Sequence, residues 1–389
     1  MWKRFTERLR CPVSGGPLRL ASFREREVAL DARHVDAAGR LGFVVDSTFS
    51  SFVETGVLLS DAGWMYPVID GVPVLLPYRT AIHEQFQRDT QAELTGVGAY
   101  NFPDQTPVPG ERDVFRSFSE EWREYQYDGV LWDVDYDDNR RRLIAEVGLS
   151  QDDWRRRSWI EIGCGIGMTT CQAQELSAAD AVGVDLSMAV FKAANQFQSN
   201  PFLHFVQASA FALPFAPASF DVVYSRGVLH HTYSTRRAFL SVAKLAKPGA
   251  RVYLWVYGPG SLLASPVRWC AYAAEVALRP VLSRLPTPVA STVLTPVALA
   301  YLAFNSFRRW QRPGVQPYTF SRALHAARDR FTPRFAFRQS VKEVSQWFVE
   351  AGCADVSAVD AATIPLADRD DYRRNSGVRG VARQLSQAH

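Results

Sequence analysis

The feature that most limits the fold of this chain is the run Trp159-Ile160-Glu161-Ile162-Gly163-Cys164-Gly165-Ile166-Gly167-Met168-Thr169-Thr170. It reads as a strand that enters a glycine turn and leaves as a helix. Residues without Cβ let the backbone turn sharply and let a ligand lie against it. Eighteen residues past Gly167, Ala181-Val182-Gly183-Val184-Asp185 reads as a second strand ending in an acid, which can accept both hydroxyls of a ribose. Turn and acid together point to an adenosine-containing ligand. A dinucleotide turn reads G-x-G-x-x-G/A, and Met168 stands at its last position, which disfavours an NAD-dependent dehydrogenase.

From about residue 138 helical and strand patterns alternate. A helix is expected at Asn139–Val147, strands at Ser158–Ile162 and Arg251–Tyr257, a late helix at Val341–Ala351, and strands at Ala354–Val359 and Gly377–Ala382. Such alternation predicts an α/β fold with a parallel sheet covered on both faces. At 389 residues the chain exceeds one usual domain. Residues 11–79 carry short strand-like runs, Val28–Leu30, Gly42–Val45, Gly56–Leu59 and Val72–Leu76, punctuated by Gly, Pro and Asp. We therefore divide the chain into a small β-rich unit at 1–80, a linker with a helix over Val114–Tyr125 at 81–137, and an α/β domain at 138–389 with an apolar insertion at 261–310. A net charge of +4 names no partner, and nucleic acid is disfavoured. Five scattered cysteines with no C-x-x-C pair read as neither a disulfide framework nor a metal site. The charged N-terminus lacks the apolar core of a signal peptide, so a cytoplasmic location is expected.

The spacing E-x-G-x-G-x-G resembles the S-adenosylmethionine loop of class I methyltransferases. The resemblance extends over Ser158–Ala382 through Val206-Gln207-Ala208-Ser209-Ala210-Phe211, Ser219-Phe220-Asp221-Val222-Val223-Tyr224-Ser225-Arg226-Gly227-Val228-Leu229-His230-His231 and Leu245-Ala246-Lys247-Pro248-Gly249-Ala250. The chain is similar in particular to the ubiquinone-biosynthesis type, which methylates small molecules. The resemblance implies a Rossmann-like seven-stranded sheet and S-adenosyl-L-methionine as cofactor. It also implies roles for residues. Glu161 would hold the methionine amino group, Gly163, Gly165 and Gly167 would pass under the ligand, Asp185 would bind the ribose, and Leu186 or Met188 would pack on the adenine. Where the family has an Asp for the adenine amino group this chain has Ser209. Adenine contacts are then expected from the Ala210 backbone and Phe211, with Ser225 among the cofactor residues.

On the acceptor side, Ser225-Arg226-Gly227-Val228 stands where enzymes that methylate nucleobase amines carry Asn-Pro-Pro-Tyr, which disfavours that class. His230 and His231 follow, and a histidine suits removal of a hydroxyl proton near neutral pH, so transfer to oxygen is expected. Tyr253, Trp255 and Tyr257 alternate along one strand, with Tyr257 placed to line a substrate pocket. Arg334 and Arg338 could bind an acidic acceptor.

The stretches Leu9-Arg10-Cys11-Pro12-Val13-Ser14 and Trp64–Pro77 resemble the small zinc-ribbon-like domain of tRNA-methyltransferase activators. Ser14 replaces the second cysteine, so no metal is expected. The fused unit would pack on its own catalytic domain. Phe118-Ser119-Glu120-Glu121-Trp122 is similar to a cofactor-covering helix of related methyltransferases, which makes Trp122 a site residue. Leu285–Phe307 holds no charged residue but contains Pro286, Pro288 and Pro296. A buried helical insertion is expected there, with a membrane-surface contact or a homodimer interface as alternatives. The expected activity is methyl transfer to a small or lipid-like acceptor. A tRNA or protein methyltransferase, and a cofactor-binding scaffold without catalysis, remain alternatives.

Overall fold

In the computed structural model, residues 1–125, 129–131, 134–260, 266–311, 317–366 and 368–383 are described. Their strands are β1 (Leu18–Glu27), β2 (Ser51–Ser60), β3 (Met65–Ile69), β4 (Val72–Leu75), β5 (Val130–Leu131), β6 (Val134–Asp135), β7 (Trp159–Ile162), β8 (Ala181–Asp185), β9 (Leu203–Ala208), β10 (Phe220–Arg226), β11 (Ala246–Val256), β12 (Cys353–Ala358) and β13 (Ser376–Ala382). Apart from the β5–β6 pair they form one sheet, in the order β1-β2-β3-β4-β9-β8-β7-β10-β11-β13-β12.

The seven strands expected for the catalytic domain occupy the β9-to-β12 side of this sheet. Those from β9 to β11 run parallel, and β13 enters antiparallel between β11 and β12. Alternate residues of each strand join different cores, as the pleat requires. Ile160, Ile162, Val182 and Val184 face the helices Thr235–Ala243 and Val341–Glu350 through Phe239 and Phe348, while Trp159, Ala181 and Leu203 meet Leu143, Ala173 and Val190 from helices Tyr136–Val147, Met168–Ser177 and Ala189–Phe197. Both faces are thereby covered, which explains the near-continuous apolar runs of these strands.

The N-terminal unit extends the same sheet. Val74 and Leu75 of β4 pair in parallel with Gln207 and Ala208 of β9, and Phe5, Leu9, Cys11 and Tyr66 enter the core that holds Ile160. Two of its expected strands are corrected. Asp31 accepts from the His34 amide and Gly42 closes a left-handed turn at φ 81°, so a helix at Ala32–Leu41 separates Val28–Leu30 from Gly42–Val45, and neither run is a strand.

The insertion is helical and reaches further than expected. Helices Pro266–Leu282 and Thr287–Gln311 pack with Phe320–Phe331 through Leu282, Leu294, Ala327 and Phe331; residues 261–265 lie outside the described residues. The expectation that 285–307 is buried is corrected, because only one side of its helix faces protein. Among the described residues this is the one helix long and apolar enough to cross a membrane, with 22% of its most apolar stretch buried.

Candidate active site

Strand order reverses at β7, which lies between β8 and β10, and a cavity of about 350 Å³ opens there. Beyond the carboxyl ends of the strands at such a switch point is where open α/β sheets take their ligands. The glycine turn forms one wall. Gly163, Gly165 and Gly167 have φ of 83°, 51° and 79°, a region that disfavours side chains. A Cβ on Gly163 would stand 2.1 Å from Val228, and one on Gly165 would come within 3.0 Å of the Trp122 ring. Gly167 then caps the helix Met168–Ser177.

Two acids flank the turn. Glu161 is buried in β7 and accepts from the Thr170 hydroxyl; burial pushes its carboxyl up to about 8, against the pull of that hydrogen bond. Asp185 ends β8 and accepts from the Gly165 amide at 2.8 Å and from the Ser187 amide and hydroxyl at 2.7 Å. Burial raises its pKa, and these bonds oppose the rise. Glu161, Asp185, Leu186, Ala210, Phe211 and Trp122 all line the cavity.

Other expected cofactor residues lie behind the wall. Met188 gives its amide to Ser119 and turns its sulfur to Gln207 at 3.7 Å, so Leu186 alone of the two lines the cavity. Ser225 donates to the Ile162 carbonyl at 2.9 Å, tying β10 to the start of the glycine turn. Ser209 is buried beside the cavity, accepts from the Phe211 amide at 3.1 Å and donates to the carboxylate of Glu111. Glu111 opens the helix Glu111–Glu124 and does line the cavity. An acid therefore stands next to Ser209 after all, brought from 98 residues upstream.

Phe118, Glu121, His231, Tyr257, Arg308, Tyr318 and Asp329 also line the cavity. His231 places Nδ1 2.8 Å from the Phe335 carbonyl, and a carbonyl only accepts, which assigns the ring hydrogen to Nδ1 and the lone pair to Nε2. That nitrogen makes no hydrogen bond and lies 3.8 Å from Asp329 Oδ1. Burial lowers the His231 pKa, and Asp329 opposes the shift. Tyr257 donates to the other Asp329 oxygen. Glu121 is buried with Oε1 3.3 Å from His325 Nε2, and burial and then Asp329 push its carboxyl well above the ordinary range.

Two expected residues leave the site. His230 does not line the cavity; it is fully buried, its ring tilted by 36° against Tyr257 with centres 4.0 Å apart. Arg334 is half exposed and pairs with Asp113 at 2.6 Å, outside the cavity, and Arg338 is held by Glu275 at 2.9 Å. The sequence pattern alone assigns no role to Glu111, Glu121 or Asp329. Among the described residues no group of three or more His, Cys, Asp or Glu side chains could hold a metal ion.

Residues 160–254, which carry the glycine turn and strands β7 to β11 up to Leu254, match the family model described as "Methyltransferase domain". Among curated relatives, the chain is 34% identical over 147 residues to a ubiquinone biosynthesis O-methyltransferase of Methylococcus capsulatus, covering 37% of this chain and 60% of that one. It is 30% identical over 117 residues to O-methyltransferase cnsE of Penicillium expansum, covering 29% and 42%. The chain thus spans about half the length of the curated relatives it matches. A solved phosphoethanolamine N-methyltransferase 2 of Haemonchus contortus is 17% identical, with 72% of this chain and 62% of that one covered and a TM-score of 0.42.

Proposed function

We propose that this protein is an S-adenosylmethionine-dependent methyltransferase that methylates a hydroxyl of a small or lipid-like acceptor. The observation that carries the reading is that one cavity is lined both by the glycine turn, Glu161 and Asp185 and by His231, whose lone-pair nitrogen stands 3.8 Å from Asp329. The names of the similar O-methyltransferases support oxygen as the atom methylated.

The residues fit the cofactor chemically. Asp185 keeps unused lone pairs for ribose hydroxyls, and Glu161 would face an ammonium. Glu111 takes over the adenine amino group, which answers the reading of the chain as a scaffold that has lost its adenine acid. When bound, the cofactor supplies a sulfonium methyl group, an electrophile that needs no further activation. The chain contributes placement and proton removal. His231 Nε2 would take the proton of the acceptor hydroxyl, and Asp329 would stabilise the imidazolium that results. Phe118, Trp122 and Tyr257 supply apolar walls that keep water from the reacting oxygen.

Two assays test the proposal: calorimetric titration of the full chain with S-adenosylhomocysteine, and methyl transfer from labelled S-adenosylmethionine to a panel of phenols, catechols and long-chain alcohols. Wild type binds, Asp185→Ala weakens binding at least about ten-fold, and His231→Ala still binds but turns over about 100-fold more slowly. A wild-type chain that does not bind S-adenosylhomocysteine sinks the proposal; full turnover by His231→Ala removes the base from it.

A further inference from the structure

The helix Glu111–Glu124 brings to the cavity one group that neither cofactor binding nor proton removal uses. Glu121 is 1% exposed and lines the cavity, and among the described residues neither oxygen of its carboxyl has a hydrogen-bond partner. Buried polar side chains are rarely left so, and a buried acid least of all. Two helices fix its place. On its own helix, Phe118 stands one turn earlier on the same face and meets the His231 ring edge-on, with centres 5.1 Å apart. On the helix Phe320–Phe331, His325 places Nε2 3.3 Å from Glu121 Oε1, and Asp329 follows His325 by one turn on the same face. Glu121 and Asp329 are therefore neighbours, and Asp329 is the largest influence after burial that raises the Glu121 pKa.

The groups that touch this pair of acids are neutral. Tyr257 gives its hydroxyl to Asp329, burial lowers the pKa of His231, and burial pushes His325 down to about 3. Among the described residues neither Glu121 nor Asp329 forms an ion pair with a lysine or arginine. The Arg328 charge pulls the Glu121 pKa down but does not outweigh burial and Asp329. Charge then selects the ligand. An anionic group would meet two acids. A hydroxyl would satisfy one oxygen and leave the acid protonated. An ammonium has three N–H donors, enough for both oxygens of Glu121, and its positive charge relieves the repulsion between Glu121 and Asp329.

We propose that Glu121 is a specificity-determining residue that receives a protonated amine in the part of the cavity it shares with Asp329. The acceptor then carries an amine besides the group that is methylated. That consequence rests on the proposed function; the amine site itself does not.

Calorimetry on the full chain, with and without S-adenosylhomocysteine, compares two matched pairs of probes: tyramine with 4-ethylphenol, and 8-aminooctan-1-ol with octan-1-ol. The members of each pair share a hydroxyl and differ by the amine. In wild type the amine binds at least about ten-fold more tightly than its partner, the range of a hydrogen bond to a charged group. Glu121→Gln keeps the shape of the side chain and its capacity for hydrogen bonds but not its charge; it removes the preference in both pairs, melts no lower than wild type and still takes up S-adenosylhomocysteine. The wild-type preference is read without any substitution, so a misfolded variant would leave that comparison intact. The inference is overturned by a wild type with no preference for the amine in either pair, or by a preference that survives in Glu121→Gln. A chain that selects the amines but does not bind S-adenosylhomocysteine sinks the proposed function and supports the amine site.

Discussion

The Ser209 hydroxyl donates to the carboxylate of Glu111, so two residues 98 positions apart share one polar contact at the cavity edge. Glu111 reaches this point because Pro107, Pro109 and Gly110 break the chain just before the helix Glu111–Glu124, with Gly110 in the left-handed region at φ 72°. Burial lifts its carboxyl above the ordinary range, and the Ser209 hydrogen bond holds it down.

If that carboxyl reads the adenine amino group, Glu111→Ala weakens S-adenosylhomocysteine binding by about 10- to 100-fold, the range for a hydrogen bond to a charged group. Ser209→Asp introduced into Glu111→Ala restores part of the loss by returning an acid to the strand end. Calorimetry on the three variants decides the matter; an affinity indifferent to Glu111→Ala removes Glu111 from the adenine site.

The buried Glu161 carboxyl predicts a proton linkage. With its pKa pushed up to about 8 in the free protein, it is largely protonated at neutral pH. An ammonium arriving beside it favours the carboxylate, so binding releases a proton. Affinity for S-adenosylhomocysteine therefore rises with pH between about 6 and 8 and levels off above. Titrations in phosphate and in Tris, which differ in ionisation enthalpy, give the number of protons released. Glu161→Gln abolishes the release, and an equal heat in both buffers for wild type contradicts the assignment.

The glycine turn and Asp185 were legible because they depend on local spacing, glycines at alternate positions and an acid at a strand end, while the seven-stranded sheet followed from the family resemblance that this spacing carries. Long-range pairings left no such trace. The joining of β4 to β9 depends on Val74 meeting Gln207 across the whole linker. Glu111 and Asp329 come from helices whose sequence patterns say only that they are amphipathic, and nothing local separates them from solvated acids. His230 and His231 show the limit from the other side. Adjacent in sequence, they part company because the turn at Leu229–His231 aims one ring at the cavity and buries the other against Tyr257.

That difference can be measured. His231 has a pKa lowered by burial, so as a base it is already neutral at pH 7 and activity rises with pH only through a limb below the ordinary histidine value of about 6.5. Asp329→Asn removes the carboxylate that opposes the shift, moves the limb further to acid, and lowers turnover about ten-fold by leaving the imidazolium unsupported. His230→Phe keeps the limb in place, since its ring does not line the cavity. A pH profile unchanged in Asp329→Asn, or a limb lost in His230→Phe, contradicts these roles.

The N-terminal segment is bound to the catalytic sheet by charge as well as by β4. Arg4 meets Asp180 at 2.5 Å where both side chains are nearly buried, Arg8 stands 3.6 Å from the same carboxylate, and His204 lies 3.2 Å from it. Burial alone would raise the Asp180 pKa, but His204 and Arg4 outweigh it and hold the carboxyl well below the usual range. A depressed carboxyl stabilises the fold above its unfolded pKa, and that contribution is lost as pH falls through the folded value. Arg4→Met leaves a buried carboxylate short of its closest partner, a change that destabilises by about 3 kcal/mol and moves the acid loss of stability to higher pH. Urea denaturation of the full chain at pH 7 and below about pH 4, where an unfolded Asp begins to bind its proton, reads both effects. A midpoint equal to wild type at both values would mean that the segment is held without this ion pair, by Phe5 stacked on His204 with ring centres 4.1 Å apart and by the backbone bridge from Leu9 to Phe215.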